Sequence, residues 1–209
     1  EYRTSQTGGG TQKQFSQELR LASRLDGSFN FILGGFYLNS RGSGYVDTWT
    51  PANRLSGAVS KFSTRLGQVE SYAVFGEAYV DLAENLKLTG GLRYTHDKKH
   101  IETASGLFAL SPYFIGDADF DKLTGRAVIN WKPTVSFTQD TNIYLSFSRG
   151  FKSGGFNPGN NTIPVFESEV IDAYELGAKN TFMDGKGRLN LALFNYEYSN
   201  LIVGNLVGT

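Results

Sequence analysis

From Leu86 to Asp97 the chain alternates without a break: Leu86, Leu88, Gly90, Leu92 and Tyr94 take one set of positions, and Lys87, Thr89, Gly91, Arg93 and Thr95 the other. Residues two apart share a face of an extended strand, so the segment predicts a strand with one apolar and one wet face. Its 12 residues, at roughly 3.4 Å each, measure about 40 Å, and a tilt near 45° projects that to about 28 Å. That height matches the apolar band of an outer membrane. The pattern recurs along the chain. Phe15, Leu19 and Leu21 alternate with Ser16, Glu18 and Arg20, and Phe29 to Asn39 follows as an aromatic-rich strand. Tyr72, Val74, Gly76, Ala78, Val80 and Leu82 oppose Ala73, Phe75, Glu77, Tyr79 and Asp81. Leu123, Gly125, Ala127, Ile129 and Trp131 oppose Thr124, Arg126, Asn130 and Lys132, and further strands are predicted over Asn142 to Lys152, near Ile171 to Met183 and over Arg188 to Val203. The total is about eight strands.

The connections divide into two kinds. Leu25-Asp26-Gly27, Ala83-Glu84-Asn85, Pro133 to Thr141 and Asp184-Gly185 are short reversals. Between them lie long polar excursions: Ser40 to about Val69, with Leu55 to Leu66 as an alternative extended ribbon inside it, Lys98 to Asp121, and Ser153 to about Ser168. The opening stretch Ser5 to Gln14, with Gly8, Gly9 and Gly10, lacks periodicity and reads as a loop. Short and long connections in strict alternation are the signature of a membrane barrel, with short periplasmic turns and long extracellular loops. A soluble sandwich or lipocalin-like barrel produces the same alternation within each strand, but not this loop asymmetry. The expected fold class is therefore all-β: an antiparallel transmembrane β-barrel, partial, with about eight meandering strands of a larger barrel.

Composition narrows the function. No stretch approaches 18 consecutive apolar residues, so a helical span is excluded while a barrel, polar at every second position, is not. Basic and acidic residues both number 20, which leaves no basic field to hold nucleic acid. Cysteine is absent, removing disulfides, thiolate metal sites and cysteine nucleophiles together. No signal segment opens the chain at Glu1, as expected if one has been removed or if the chain is an internal piece.

Register follows from magnitude. Sliding the Leu86 strand by one residue would turn Lys87 and Arg93 towards lipid, and an arginine near the midplane costs roughly 2–4 kcal/mol. The apolar face must point out, which turns Glu77, Asp81, Lys87, Arg93, Arg126, Lys132, Glu175 and Lys179 towards a wet lumen, where they are expected to pair laterally as a solvated wall. Tyr94, Trp131, Phe147, Tyr196 and Tyr198 are expected in aromatic girdles at the two interfaces.

Three stretches carry a resemblance: Glu70-Ser-Tyr-Ala-Val-Phe-Gly-Glu-Ala through Leu88-Thr-Gly-Gly-Leu-Arg-Tyr-Thr; Asn142-Ile-Tyr-Leu-Ser-Phe-Ser-Arg-Gly-Phe-Lys-Ser-Gly-Gly-Phe-Asn; and Tyr174-Glu-Leu-Gly-Ala-Lys with Leu193-Phe-Asn-Tyr-Glu-Tyr-Ser-Asn-Leu. Together they resemble the barrel of TonB-dependent outer-membrane receptors. The resemblance implies a large barrel closed by an N-terminal plug in the outer membrane of a Gram-negative bacterium. It also implies import of a scarce ligand, such as an iron-siderophore chelate, cobalamin or carbohydrate, with energy relayed by the TonB complex through that plug. The chain departs from the family pattern in having no plug, no TonB box near Glu1 and no terminal aromatic strand, so residues 1–209 are expected to be a barrel section without plug or C-terminal strands. Such a section would expose two unpaired edges and aggregate in isolation. A complete small eight-stranded barrel, acting as adhesin or structural anchor, is the alternative.

Arg149-Gly-Phe-Lys-Ser-Gly-Gly155 stands where a strand leaves the membrane, and Lys152 is the loop candidate for ligand contact. Glu175 and Lys179 share one strand face, where a cross-strand charge ladder accounts for them better than catalysis does. Catalytic, cofactor and metal sites are not expected. His96 and His100 lack a third ligand. Asp117-Ala-Asp-Phe-Asp121 opens like a calcium loop, but Lys122 and Val128 stand where glycine and glutamate are required. Gly185-Lys186 is followed by glycine and lacks the spacing of a phosphate loop. Ser43 between two glycines has no helix after it, and His96 with Asp97 is the nearest arrangement to a rim hydrolase.

Overall fold

The structure, a computed structural model, describes residues 5–49, 59–107, 114–157 and 164–203. Ten strands run in chain order: β1 (Ser5–Ala22), β2 (Phe29–Trp49), β3 (Ser60–Ala83), β4 (Leu86–Leu107), β5 (Phe114–Trp131), β6 (Asp140–Lys152), β7 (Gly155–Phe156), β8 (Val165–Phe166), β9 (Glu169–Phe182) and β10 (Gly187–Ser199). Eight of them form one antiparallel meander in the order β1-β2-β3-β4-β5-β6-β9-β10, with β7 and β8 a separate two-residue pair. The first and last strands do not pair with each other, so the sheet is open and does not close as a small eight-stranded barrel requires.

The paired registers carry the sequence alternation across the whole sheet. One row reads Phe31, Ala78, Gly90, Ala127, Phe147, Tyr174, and the next Ile32, Glu77, Gly91, Arg126, Ser148, Ala173. One face is therefore mainly apolar over the lower part of the sheet, and the other carries most of the charged side chains there. Leu19, Leu33, Val74, Leu92, Leu123, Leu145, Leu176, Leu191 and Leu193 on the apolar face are each about half or more exposed, while Ser71, Thr89, Thr95, Asp97 and Phe120 on the polar face are buried. A water-soluble sheet would bury the first set and expose the second. The inversion identifies the apolar face as the outer, lipid-facing one and the polar face as the inner one.

The lower ends, where the connections are short, are tight. Asn30 fastens the first turn through Ser23 Oγ (2.9 Å) and the Leu25 backbone N–H (2.9 Å). The two later turns are tied to each other: Gln139 Nε2 donates to Asp184 Oδ1 (2.7 Å) and Gln139 Oε1 accepts from the Gly185 N–H (2.8 Å).

At the upper end the structure corrects the sequence reading. Ser5 to Gln14 is part of β1, paired residue by residue with β2 from Trp49 to Ser40. Much of the excursion from Ser40 is β2 as far as Trp49 and β3 from Ser60, and much of that from Lys98 is β4 as far as Leu107 and β5 from Phe114. Residues 50–58, including Leu55 of the alternative ribbon, lie outside those described. The strands run on past the membrane because pairing depends on backbone hydrogen bonds, whereas alternation depends on two different solvents. Where both faces meet water the pairing persists and the pattern vanishes. Bulges at Gly42/Gly44 and Thr64/Leu66 add twist in this upper region.

Candidate functional site

The inner face carries most of the charged side chains of the sheet, and two glycines open gaps in it. Glu77 and Arg126 stand on β3 and β5, with Gly91 of β4 between them in register. With no side chain at Gly91, where a Cβ would meet Glu77 Oε2 at 3.0 Å, the carboxylate reaches across a whole strand. Arg126 Nε and Nη2 donate to its two oxygens at 2.6 and 2.7 Å, a bidentate pair, and Tyr79 Oη donates to Oε1 at 2.5 Å. Below, Lys87 lies 3.8 Å from Asp81 and 5.6 Å from the Tyr79 ring centre. Above, the Arg93 guanidinium sits between the rings of Phe36 and Phe75, at 5.3 and 5.4 Å.

The second gap is Gly177. The Tyr144 ring of the neighbouring strand lies over it, in the space that a Cβ there would fill. From there the Tyr144 hydroxyl donates to Glu175, and the Lys179 ammonium stands 5.3 Å from the ring centre. Glu175 and Lys179 thus share a face as expected, but a tyrosine joins them rather than a ladder of charges. Glu77, Asp81, Lys87, Arg93, Arg126, Glu175 and Lys179 all lie on the inner face. Lys132 continues that face at the end of β5, where its backbone N–H donates to Asn85 O (2.8 Å).

Higher up, the segment after β6 folds onto the inner wall. Lys99 Nζ donates to the Gly154 and Ser153 carbonyls and lies 5.6 Å from the Phe120 ring centre, while the Gly154 N–H donates to buried Ser168 Oγ (3.2 Å). Phe156 of β7 reaches Phe114 of β5, with ring centres 6.5 Å apart. Enclosure by this strap pushes the Lys99 ammonium below the usual lysine range, because burial disfavours its charge. Lys152, at the top of β6, pairs with Glu169 (3.4 Å) and keeps a largely exposed side chain at the mouth.

Two aromatic assignments need correction. Tyr94, Trp131 and Phe147 are on the outer face, but Tyr196 and Tyr198 are on the inner one, opposite Ala173 and Ile171, with Phe194 stacked on Tyr196 at 5.0 Å. In the upper part of β10 Phe194, Tyr196 and Tyr198 alternate with Asn195 and Glu197, so that part alone does not reveal the sides. The outer leucines Leu189, Leu191 and Leu193 are the signal that does. Phe36, Phe75, Tyr144 and Lys99 were also not singled out from sequence; Tyr144 is visible only in register with Gly177.

The histidines do not meet. His96 Nδ1 lies 2.8 Å from Asp121 and His100 Nδ1 2.7 Å from Asp117, two separate cross-strand pairs on the outer face. Asp97 is buried on the opposite face from His96, because successive side chains of a strand point to opposite sides. His100 stands six residues above Tyr94, beyond the membrane band, and its pKa is raised, chiefly by the hydrogen bond to Asp117 and then by that to Glu102. No group of three or more His, Asp or Glu placed to hold a metal occurs among the described residues.

Comparison with known proteins agrees with this geometry. The crystal structure of the ferric yersiniabactin uptake receptor FyuA from Yersinia pestis superposes with a TM-score of 0.77 at 20% identity, covering 95% of this chain and 30% of that one. The siderophore receptor PiuA from Acinetobacter baumannii gives a TM-score of 0.51 at 14% identity, covering 88% of this chain and 40% of that one. The chain thus spans about a third of the length of the receptor structures it resembles. No curated protein sequence matches it. The family described as TonB dependent receptor-like, beta-barrel matches residues 1–209, end to end. A two-faced open sheet, its oily side outward and its charged side inward, is accordingly a stretch of barrel wall, and the chain belongs to the TonB-dependent receptor β-barrel family.

Proposed function

We propose that this chain is a section of the wall of a larger outer-membrane receptor in a Gram-negative bacterium. The whole receptor imports a scarce small-molecule ligand, an iron-siderophore, cobalamin or carbohydrate, with energy relayed by TonB through a plug domain elsewhere in the receptor. The observation that carries this is the division of the sheet into a lipid-compatible outer face and a hydrated inner face whose polar groups bind one another. Glu77 with Arg126 forms a neutral ion pair, and Tyr144 satisfies the Glu175 carboxylate while Lys179 stands against the same ring, so the wall is polar and suited to line a passage. Lys152, exposed at the mouth, is the ligand-contact candidate.

Uptake of radiolabelled ferric siderophores, cobalamin and oligosaccharides by cells with and without the full-length receptor tests this. One ligand class is expected to lose uptake when the receptor is deleted and equally when TonB is removed. Unchanged uptake of all three classes would refute it. Lys152→Gln is expected to raise the half-saturating concentration of the imported ligand several-fold and leave the others unaffected.

A further inference from the structure

Above Gly125 the wall splits along one seam. β5 pairs with β4 along its whole length, from Phe114 to Trp131, but with β6 only from Gly125 to Trp131. β6 runs on to Lys152 in register with β9 as far as Glu169, so it keeps its other neighbour while β5 continues upward alone. From Phe114 to Thr124, roughly 30 Å at about 3.3 Å per residue, the β5 backbone groups that point away from β4 have no partner among the described residues. A row of unpaired N–H and C=O groups is the template on which a further strand adds.

The strap keeps the seam open. Ser153 and Gly154, which would continue β6 alongside β5, pass instead across the inner face of β5, where Lys99 of β4 donates to both their carbonyls. Gly154 lies so close to the Phe120 ring that a Cβ there would take the ring's own space, and Phe156 sits over Gly116 against Phe114. The strap thus covers the inner face of upper β5 and leaves its edge clear. The outer side of that edge carries one sign of charge: Asp117, Asp119 and Asp121 alternate along it, all exposed. Asp117 and Asp121 are held from the β4 side through Oδ1 alone, by His100 (2.7 Å) and by His96 (2.8 Å) with Tyr94 (2.5 Å), and the Oδ2 of each has no hydrogen bond among the described residues. Asp119 stands opposite Lys98 in register without a salt bridge to it.

From this edge and its charge we infer that upper β5 is a β-addition site for an extended cationic segment of another polypeptide, with Lys or Arg at every second residue. Main-chain hydrogen bonds to the free row hold the added strand, and its cations, opposite Asp117, Asp119 and Asp121, decide which strand is held. A second copy of β5 would set aspartate against aspartate, and an acidic strand would repel in the same way, so the edge rejects both. Asp119 stands 12 residues above the lower end of β5, a rise of about 28 Å at 45° tilt, which brings the edge out of the apolar band into water. The inference adds a polypeptide partner to the proposed import role and rests on strand topology, not on which ligand is carried.

The test uses the full-length receptor in nanodiscs of neutral lipid. A short peptide alternating lysine and threonine is titrated against it, beside the same peptide with glutamate for lysine and the same peptide N-methylated throughout its backbone. Calorimetry reads affinity, and amide exchange reads pairing. Without peptide, every second amide from Phe114 to Thr124 is expected to exchange fast; the lysine peptide should bind and slow those amides, and the other two should do neither. Asp119→Asn should weaken the lysine peptide about threefold, whereas Glu84→Gln at the lower turn should leave it unchanged. Equal binding of the methylated peptide would refute strand pairing, and equal binding of the glutamate peptide would refute recognition by charge. Slow exchange of the whole segment in the free receptor would overturn the site outright, because the edge would already be paired within the receptor. Ligand uptake is measured on the same Asp119→Asn receptor and should be unchanged, so loss of peptide binding with normal uptake leaves the import role standing.

Discussion

The lower and upper halves of β2 to β5 belong to the same continuous strands, yet they are held by different means. In the lower half each side chain's direction is decided by solvent: Leu33, Gly76, Leu92 and Gly125 form one lipid-facing row, and Glu77 reaches over Gly91 to Arg126 on the wet side. In the upper half both faces meet water, and individual pairs such as His100 with Asp117 and Lys61 with Asp47 (3.4 Å) fasten neighbouring strands. A barrel wall of this kind is thus anchored by a medium below and by local bonds above. Changes in the lower half should be costly in proportion to depth, and those in the upper half small and conditional.

The sharpest challenge to this contrast is a charge at mid-depth. Leu92→Arg is expected to destabilise the receptor by about 2–4 kcal/mol in a bilayer, while Lys98→Leu on the same face above the girdle changes it by no more than about 0.5 kcal/mol. Denaturant titration in lipid vesicles measures both, and similar costs would dissolve the distinction. A smaller effect is expected from Gly177→Val, which pushes the Tyr144 ring off its seat and costs about 1–3 kcal/mol. The same titration should show it, together with loss of protection of the Tyr144 hydroxyl from chemical modification. A neutral outcome would mean that the ring does not need the gap.

How far the chain announces this architecture follows the same division. Between Leu86 and Thr95 every residue is assigned to its correct face from alternation alone, since misplacing Arg93 would cost more than any local preference returns. From Lys98 onward the signal fails. Lys98, Lys99 and His100 are three polar residues in succession, and only the partner strand Asp117 to Asp119 reveals that they are extended. Gly8, Gly9 and Gly10 mislead for a related reason: glycine is the usual mark of a loop, but here it permits close approach to Tyr45 and Gly44 across a pair. The inner charges are legible as residues facing a lumen. Their partners are not, because Tyr144 and Phe36 come from other strands and register cannot be counted through loops of unknown shape.

The smallest effect concerns pH. The hydrogen bond to Asp117 raises the His100 pKa in the folded state, so its protonated form contributes stability that is fully present below the unfolded value near 6.5. That contribution is lost as pH rises through the higher folded value. Amide exchange in the upper parts of β4 and β5 should therefore quicken as pH rises through that window, after correction for intrinsic rates, and His100→Ala should abolish the added dependence. The lower halves should show none, and a pH response there would mean that the two regions are coupled after all.

Gln139 joins the turn below β5 and β6 to the turn below β9 and β10 through two hydrogen bonds. β6 and β9 are already paired down to Asp140 and Thr181, and this link carries the tie on into the turns themselves, closing the base of one four-stranded plate. A pull delivered from beneath at either base is shared across the plate as shear, the loading direction in which parallel arrays of backbone bonds resist together rather than peeling one at a time.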